Sequence, residues 1–314
     1  MTAHATTTPA HLLAVDWGTT SLRGALLDTQ GTVVAERSFA RGILGVAPGD
    51  FAAVFAASFG DWVDAGVTRC LVSGMAGSKQ GWVEAPYCAC PAGFADVAAQ
   101  LTQVDDASLR VPVAIVPGLC CEAAAPGSTL APVPDVMRGE EVQIFGAMQL
   151  AGRDQGVFVL PGTHSKWADV HTGRVRSFQT SMSGEFYALL SQHSLLARSI
   201  TADAAFDSEA FAQGIGRAAE GAGLLHNAFG TRTLSLFGRM DAGALASYLS
   251  GLVIGEELRA RDLRRDTAVV LVGSSVLVPR YALALSLHGV DSLAFGAEAT
   301  WAGLHALAHL TGHP

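Results

Sequence analysis

Residues 12–39 read LLAVDWGTTSLRGALLDTQGTVVAERSF, and the fold turns on them. Leu12–Val15 is a short apolar run that ends in Asp16-Trp17-Gly18-Thr19-Thr20. Ser21–Asp28 reads as a second strand, Gln30-Gly31 supplies a turn, and Thr32–Phe39 reads as a third strand. Three consecutive strands joined by tight turns make an antiparallel meander. The pattern restarts downstream: Gly156–Leu160 is apolar, Pro161-Gly162-Thr163 turns, His164–Val170 is a strand, Thr172-Gly173 turns, and Arg174–Thr180 is a strand. Two similar halves are expected.

Helices and buried strands follow each meander. In the first half Phe51–Val63 has helical spacing (Phe51, Val54, Phe55, Phe59, Trp62), and Arg69–Val72 is a buried strand running into Ser73-Gly74-Met75-Ala76-Gly77-Ser78. Gln80–Pro91 is irregular, Val111–Val116 is a strand, and Pro117–Pro134 reads as a long loop holding Pro117, Pro126, Pro132 and Pro134. A loop of that length in a compact domain is more often functional than idle. Arg138–Ala151 predicts a helix with Val142, Phe145 and Gln149 on one face and Glu140-Glu141 in its first turn. In the second half, helices are expected over Gly184–His193, Ser208–Ala222 and Ala242–Arg261. Ala268–Val272 is an apolar strand ending in Gly273-Ser274-Ser275, and Pro279 suits the first turn of the next helix. A strand at Ser292–Phe295 and a helix at Glu298–Leu310 close the chain. This alternation is α/β.

The 314 residues suit about two domains with sizeable cores. Half are hydrophobic, 15% are charged and 35 are glycine, which excludes a disordered chain. A net charge of −8 excludes bulk attraction to nucleic acid or anionic lipid, so an anionic ligand needs local donors. No apolar run reaches the roughly 18 residues of a membrane span. Met1–Ala10 has neither the basic start nor the apolar stretch of a secretory signal and reads as a tail. Cys70, Cys88, Cys90, Cys120 and Cys121, an odd and clustered set, are expected to be reduced packing thiols in a cytoplasmic protein.

Three turns carry the candidate chemistry. In Asp16-Trp17-Gly18-Thr19-Thr20-Ser21 a strand-end carboxylate precedes a glycine and three hydroxyls. Backbone N–H groups and hydroxyls there suit phosphate oxygens, and the carboxylate suits Mg²⁺; the plainer reading is an ordinary hairpin. Pro161-Gly162-Thr163-His164-Ser165-Lys166 places glycine, hydroxyls and a cation in the corresponding hairpin of the second half. There Lys166 neutralises a phosphate and His164 donates to it, or Lys166 is a solvated strand residue and His164 a capped turn residue. Gly273-Ser274-Ser275 opens from a buried strand toward a helix start, where small residues let a flat ring approach and the N-terminus favours anions. A tight strand–helix turn is the alternative.

These elements, in this order, resemble the actin/hexokinase/Hsp70 superfamily from Leu12 to Leu310. Asp16-Trp17-Gly18-Thr19-Thr20-Ser21-Leu22-Arg23, Gly74-Met75-Ala76-Gly77-Ser78, Gly81-Trp82 with Ala85-Pro86-Tyr87, Val116-Pro117-Gly118-Leu119, Met137-Arg138-Gly139-Glu140-Glu141 and Pro161–Trp167 together are similar to the 2-dehydro-3-deoxygalactonokinase family. The resemblance implies two actin-like (ribonuclease H-like) domains flanking an ATP cleft: residues 1–140 with the last helix 298–314, and residues 141–297. It implies transfer of the ATP γ-phosphate to the C6 hydroxyl of 2-dehydro-3-deoxy-D-galactonate, in galactonate catabolism. The alternatives are a kinase of this fold with another sugar or sugar-acid acceptor, or a non-catalytic ATP or sugar-acid sensor. A homodimer is compatible with either.

Phosphoryl transfer needs alignment, Mg²⁺, charge neutralisation and a group that orients the acceptor hydroxyl. Asp16 is the expected Mg²⁺ ligand; Gly18, Thr19 and Thr20 would contact the γ-phosphate, Gly162, Thr163, His164 and Lys166 the β-phosphate, and Gly273, Ser274 and Ser275 the adenosine. Related sugar kinases carry an aspartate at the start of the helix crossing between domains; here Glu140 or Glu141 stands there, either as base, as Mg²⁺ ligand or as a plain cap. Arg23, Lys79 and above all Arg138 are candidates for the acid's carboxylate, beside Gly77 and Ser78. Trp82 and Tyr87 either wall the deoxy carbon or belong to the core.

Overall fold

The computed structural model describes residues 12–123, 129, 131–261 and 263–311; the Met1–Ala10 tail and Pro126 lie outside them. The chain divides into two compact units. One takes the chain up to Gln155, Ala168–Phe178 and Ala297 onward; the other takes Gly156–Trp167 and Gln179–Gly296.

The first unit opens with the meander β1 (Leu12–Trp17), β2 (Leu22–Leu27) and β3 (Val33–Phe39), paired antiparallel. Helix α1 (Phe51–Asp64) crosses to β4 (Arg69–Gly74), which lies parallel to β1 with Asp16 opposite Ser73. Then come β5 (Tyr87–Ala89), β6 (Ala92–Gly93), α2 (Phe94–Ala98), β7 (Thr102–Gln103) and β8 (Val113–Ile115). The sheet order is β3-β2-β1-β4-β8-β7. Period-2 alternation sends Leu13, Val15 and Trp17 of β1 against Phe51, Val54, Phe55 and Phe59 of α1.

The expected Pro117–Pro134 loop is corrected. It contains β9 (Gly118–Ala123) and β10 (Val133–Met137), antiparallel to each other and joined by β5 in the order β10-β9-β5. Pro134 is tolerated because β10 is an edge strand, where a missing N–H breaks no ladder. Helix α3 (Glu140–Ala151) starts two residues later than expected, and Gln149 is exposed rather than sharing the buried face of Val142 and Phe145.

The second meander is β11 (Gly156–Leu160), β12 (Ser165–His171) and β13 (Arg174–Ser181), of which β12 and β13 run through both units. Helix α4 (Ser183–Ala188) passes into a π-helical turn, Leu189–His193, so the single helix expected to His193 ends early. Next are α5 (Ser208–Ala219), α6 (Leu224–Leu236), α7 (Ala242–Arg259), β14 (Val269–Val272), α8 (Leu277–Leu287), β15 (Ser292–Phe295) and α9 (Glu298–Leu310). Pro279 stands in the first turn of α8, as its sequence position predicts. Helix α6 has no helical signature in the sequence, because Leu225, Phe229 and Leu236 are exposed and spoil its periodicity. The second sheet runs β15-β14-β11-β12-β13-β6, so β13-β12-β11-β14-β15 repeats the connectivity of β3-β2-β1-β4-β8. Around β11 and β14, Val159 and Leu271 pack with Phe211 and Ile215 of α5, Ile254 and Leu258 of α7 and Leu285 of α8. In the first unit α9 packs on α3 and on β1, β2 and β4. No helix among the described residues is long and apolar enough to cross a membrane, and the five cysteines are free thiols.

Candidate active site

In the first unit the ends of two parallel strands set the geometry. Gly74, at the end of β4, has φ +92°, and a Cβ there would meet Trp17 O at 2.9 Å and Asp16 Oδ1 at 3.1 Å. Gly139, at the entry to α3, has φ +103°, and its Cβ would stand 3.2 Å from Gly74 Cα. Without side chains at either position, Gly139 packs on Gly74 and the start of α3 comes down onto the end of β4, beside Asp16 of β1. Asp16, Ser73 and Gly139 thereby meet around Gly74, and Glu140 and Glu141 follow in the first turn of α3. Asp16 Oδ2 accepts from Arg23, and no hydrogen bond among the described residues reaches Oδ1. In the adjoining turn Gly18 N donates to Ser21 O at 2.9 Å, and Thr19 and Thr20 are exposed. Ile43 N and Leu44 N brace that turn on the carbonyls of Gly18 and Thr19, at 3.0 and 3.3 Å.

The two glutamates both cap α3. Glu140 Oε2 accepts from Arg138 N at 3.0 Å and Glu141 Oε2 from Gly139 N at 2.7 Å. Their surroundings differ. Glu141 is fully buried and its Oε1 has no partner among the described residues; burial and then the charge of Glu140 push its carboxyl up to about 8. Glu140 is only half-buried.

Arg138 is held on two sides. Its Nη2 donates to Ala85 O at 2.8 Å, and the guanidinium lies 4.3 Å above the centre of the Tyr87 ring. Among the described residues the buried Nε and Nη1 have no hydrogen-bond partner, nor has the hydroxyl of Ser78; Nη1 lies 2.8 Å from where a Cβ on Gly77 would stand. Buried donors are nearly always paired, so orphaned ones on a cation mark a place for an anion. Lys79 and Trp82 go elsewhere. They line a pocket of about 470 Å³ with Phe51, Val104 and Asp105, and neither Asp16, Arg138 nor Glu140 lines it. Trp82 also packs on Trp17 and Phe51, at 5.9 and 6.4 Å between ring centres.

In the second unit the turn Gly162–His164 leads into β12. Glu185 N donates to Thr163 O at 3.0 Å, and Glu185 Oε2 lies 2.6 Å from His164 Nε2, so His164 is already engaged. Lys166 is 6% exposed, and no hydrogen bond or ion pair among the described residues reaches its ammonium. Gly273 lies beside the turn, where a Cβ would stand 3.4 Å from Pro161 O. Ser274 Oγ accepts from Leu277 N at 3.2 Å and caps α8, while Ser275 is exposed. A small pocket near these residues is lined by Gly162, Ser183, Tyr187, Leu277, Arg280 and Tyr281.

One buried carboxylate escaped the sequence reading. Glu257 of α7 is 5% exposed and accepts from Ser165 Oγ and Tyr281 Oη, at 2.7 and 2.8 Å, and from Trp167 Nε1 and Ser183 Oγ. Its partners stand 24 to 92 residues away, and no local pattern announces them.

The profile of the 2-keto-3-deoxy-galactonokinase family matches residues 16–307. A protein of Escherichia coli (strain K12) named 2-dehydro-3-deoxygalactonokinase is 33% identical over 303 residues, covering 96% of this chain and 98% of the relative. A protein of Rhizobium meliloti (strain 1021), named for the same activity, is 34% identical over 308 residues, with the same coverage. A crystal structure from Sinorhizobium meliloti given that name superposes with a TM-score of 0.85 at 33% identity, over 95% of this chain and 98% of that one. At 14% identity, a structure from Porphyromonas gingivalis assigned as an N-acetylglucosamine kinase shares the fold, with a TM-score of 0.51 over 95% of this chain and 98% of that one.

Proposed function

This chain belongs to the 2-keto-3-deoxy-galactonokinase family, and from that premise we propose that it moves the γ-phosphate of ATP to the C6 hydroxyl of 2-dehydro-3-deoxy-D-galactonate. It is a sugar-acid kinase. The observation that carries the assignment of roles is a pair of cations: half-buried Arg138, whose Nε and Nη1 have no partner among the described residues, and Lys166, which is 6% exposed and makes no ion pair among them. Arg138 lies in the first unit and Lys166 in the second. Two anionic groups are the natural partners: the carboxylate of the acid for Arg138, and a nucleotide phosphate for Lys166.

Around Arg138, the aromatic face of Tyr87 and the carbonyl of Ala85 fix the guanidinium, and Ser78 adds a hydroxyl donor. Glu140 is the group we assign to orient and deprotonate the C6 hydroxyl. It is half-buried in the first turn of α3, whereas buried Glu141 has a carboxyl raised to about 8. Thr19 and Thr20 supply N–H and hydroxyl donors for the phosphate in transit, on a turn that the Gly18 N–H closes on Ser21 O; Gly162, Thr163 and Lys166 hold the β-phosphate. The nucleoside lies along Gly273–Ser275 and the pocket lined by Leu277 and Tyr281.

Asp16 fits Mg²⁺ in donor chemistry, since its Oδ1 is uncommitted and the orphaned Ser73 hydroxyl is opposite it in the sheet. Bound there with phosphate oxygens, the ion would neutralise charge on the transferring group.

A coupled assay of ATP consumption across a panel of sugar acids and neutral sugars tests the reading. Turnover is expected with 2-dehydro-3-deoxy-D-galactonate, with the new phosphate at C6 by phosphorus-coupled NMR. Turnover confined to neutral sugars, or none with any 3-deoxy-2-keto acid, would overturn it.

A further inference from the structure

Glu257 belongs to none of the groups just assigned, yet it connects them. A buried carboxylate is expensive unless its lone pairs are filled. Here each oxygen takes two donors: Oε1 those of Ser165 and Trp167, Oε2 those of Ser183 and Tyr281. An ionised carboxylate offers about four acceptor sites, so the group is saturated. Packing alone would be served as well by an apolar side chain. A carboxylate adds direction, and the four donors lie on three elements apart from α7.

Those elements are the ones that build the nucleotide half. Ser165 and Trp167 flank Lys166 at the start of β12. Strand alternation turns them toward Glu257 and sends Lys166 to the opposite face. Ser183 opens α4, whose Glu185 N–H holds the Thr163 carbonyl at 3.0 Å. Tyr281 of α8 lines the small pocket together with Gly162 and Ser183. Burial and the adjacent carboxylate push the Tyr281 hydroxyl well above its ordinary range, which keeps it a donor. Arg261, one turn beyond Glu257, lies 5.1 Å from the centre of the Trp167 ring and supports its far side.

We propose that Glu257 is the positioning residue of the nucleotide half: its carboxylate fixes the angle at which the Gly162–Lys166 hairpin presents Lys166 and, through Ser183 and Tyr281, the wall of the adjoining pocket. The proposal rests on the reading of that hairpin as the phosphate site. It separates from a general stabilising role because it touches one substrate and spares the other.

The test is steady-state kinetics on the full chain with ATP and the sugar acid varied in turn, for Glu257→Gln, Tyr281→Phe and Lys166→Met, each checked by thermal unfolding. Glu257→Gln keeps shape but replaces two acceptor sites with donors. It is expected to raise the KM for ATP roughly 10- to 100-fold, the scale of a small misplacement, with the KM for the acid unchanged. Tyr281→Phe removes one of four bonds and should shift the same constant less. If Glu257→Gln fails to fold, Tyr281→Phe and Ser165→Ala carry the same comparison. Equal losses toward both substrates, or no change in the ATP constant while Lys166→Met raises it, would overturn the positioning role alone. An ATP constant indifferent to Lys166→Met would overturn the hairpin reading itself.

Discussion

Glu140 and Glu141 are adjacent in sequence and make the same kind of bond, each to a backbone N–H two residues back. Burial, and after it the charge of Glu140, sets Glu141 apart. For Glu140→Gln a fall in kcat of about 10²–10⁴ is expected, with the KM for ATP unchanged, because a general base acts on the acceptor and not on nucleotide binding. Glu141→Gln should leave far more activity, and its signature is in stability. The Glu141 carboxyl rises from the ordinary 4.5 to about 8 in the fold, so the folded state holds a proton that the unfolded chain has released. Stability from this group is complete below about pH 4.5 and is lost as pH climbs to about 8, at up to roughly 1.4 kcal/mol per pH unit. Glutamine has no such proton. Urea midpoints at about pH 5 and about pH 8 should therefore diverge less in Glu141→Gln than in the natural chain, and parallel declines would refute the assignment.

At the scale of elements, the approach of α9 to α3 decides how firmly the first turn of α3 is seated. A Cβ on Gly146 would stand 1.7 Å from Ala299 O, and one on Gly303 2.0 Å from Val142 O. Both neighbours are helix backbone, which cannot step aside. Gly146→Ala should lower the urea midpoint, costing about 3 kcal/mol at unchanged m. Gly216 of α5 is exposed with open space around it, and there the same substitution should stabilise by about 0.5–1 kcal/mol. The meanders, α1, β4, β15 and α9 were legible in the sequence because each carries its own periodicity and turn residues. The β9–β10 pair was not, since Pro134 on the edge strand, with Pro117 and Pro132 just outside the strands, makes the stretch look like a loop. Helix α6 was not, because its exposed leucines and phenylalanine obscure its face. Local motifs single out Asp16, Arg138 and the two glutamates as candidates. The separate pocket lined by Lys79 and Trp82, the His164–Glu185 pair and the Glu257 cluster depend on contacts between distant segments, which no local pattern encodes.

For the whole molecule, a net charge of −8 sits beside a function that needs two anions. Long-range attraction supplies neither, because the summed field of this chain repels both. Binding must come from cations desolvated in place, where an unpaired charge interacts far more strongly than in water. Arg138, with its buried and orphaned Nε and Nη1, and Lys166, 6% exposed, are the cations proposed for that task; they stand in different units, so on this proposal the two binding energies are separable by mutation. A ligand at 100 times its Kd stabilises by about 2.7 kcal/mol, which a thermal shift resolves. Lys166→Met should therefore lose most of the shift produced by ADP while keeping that produced by the sugar acid. Arg138→Met should do the reverse, because methionine keeps bulk against Tyr87 but offers no donor. If either variant loses both shifts together, the anions do not have separate cationic partners, and the division of roles between Arg138 and Lys166 fails.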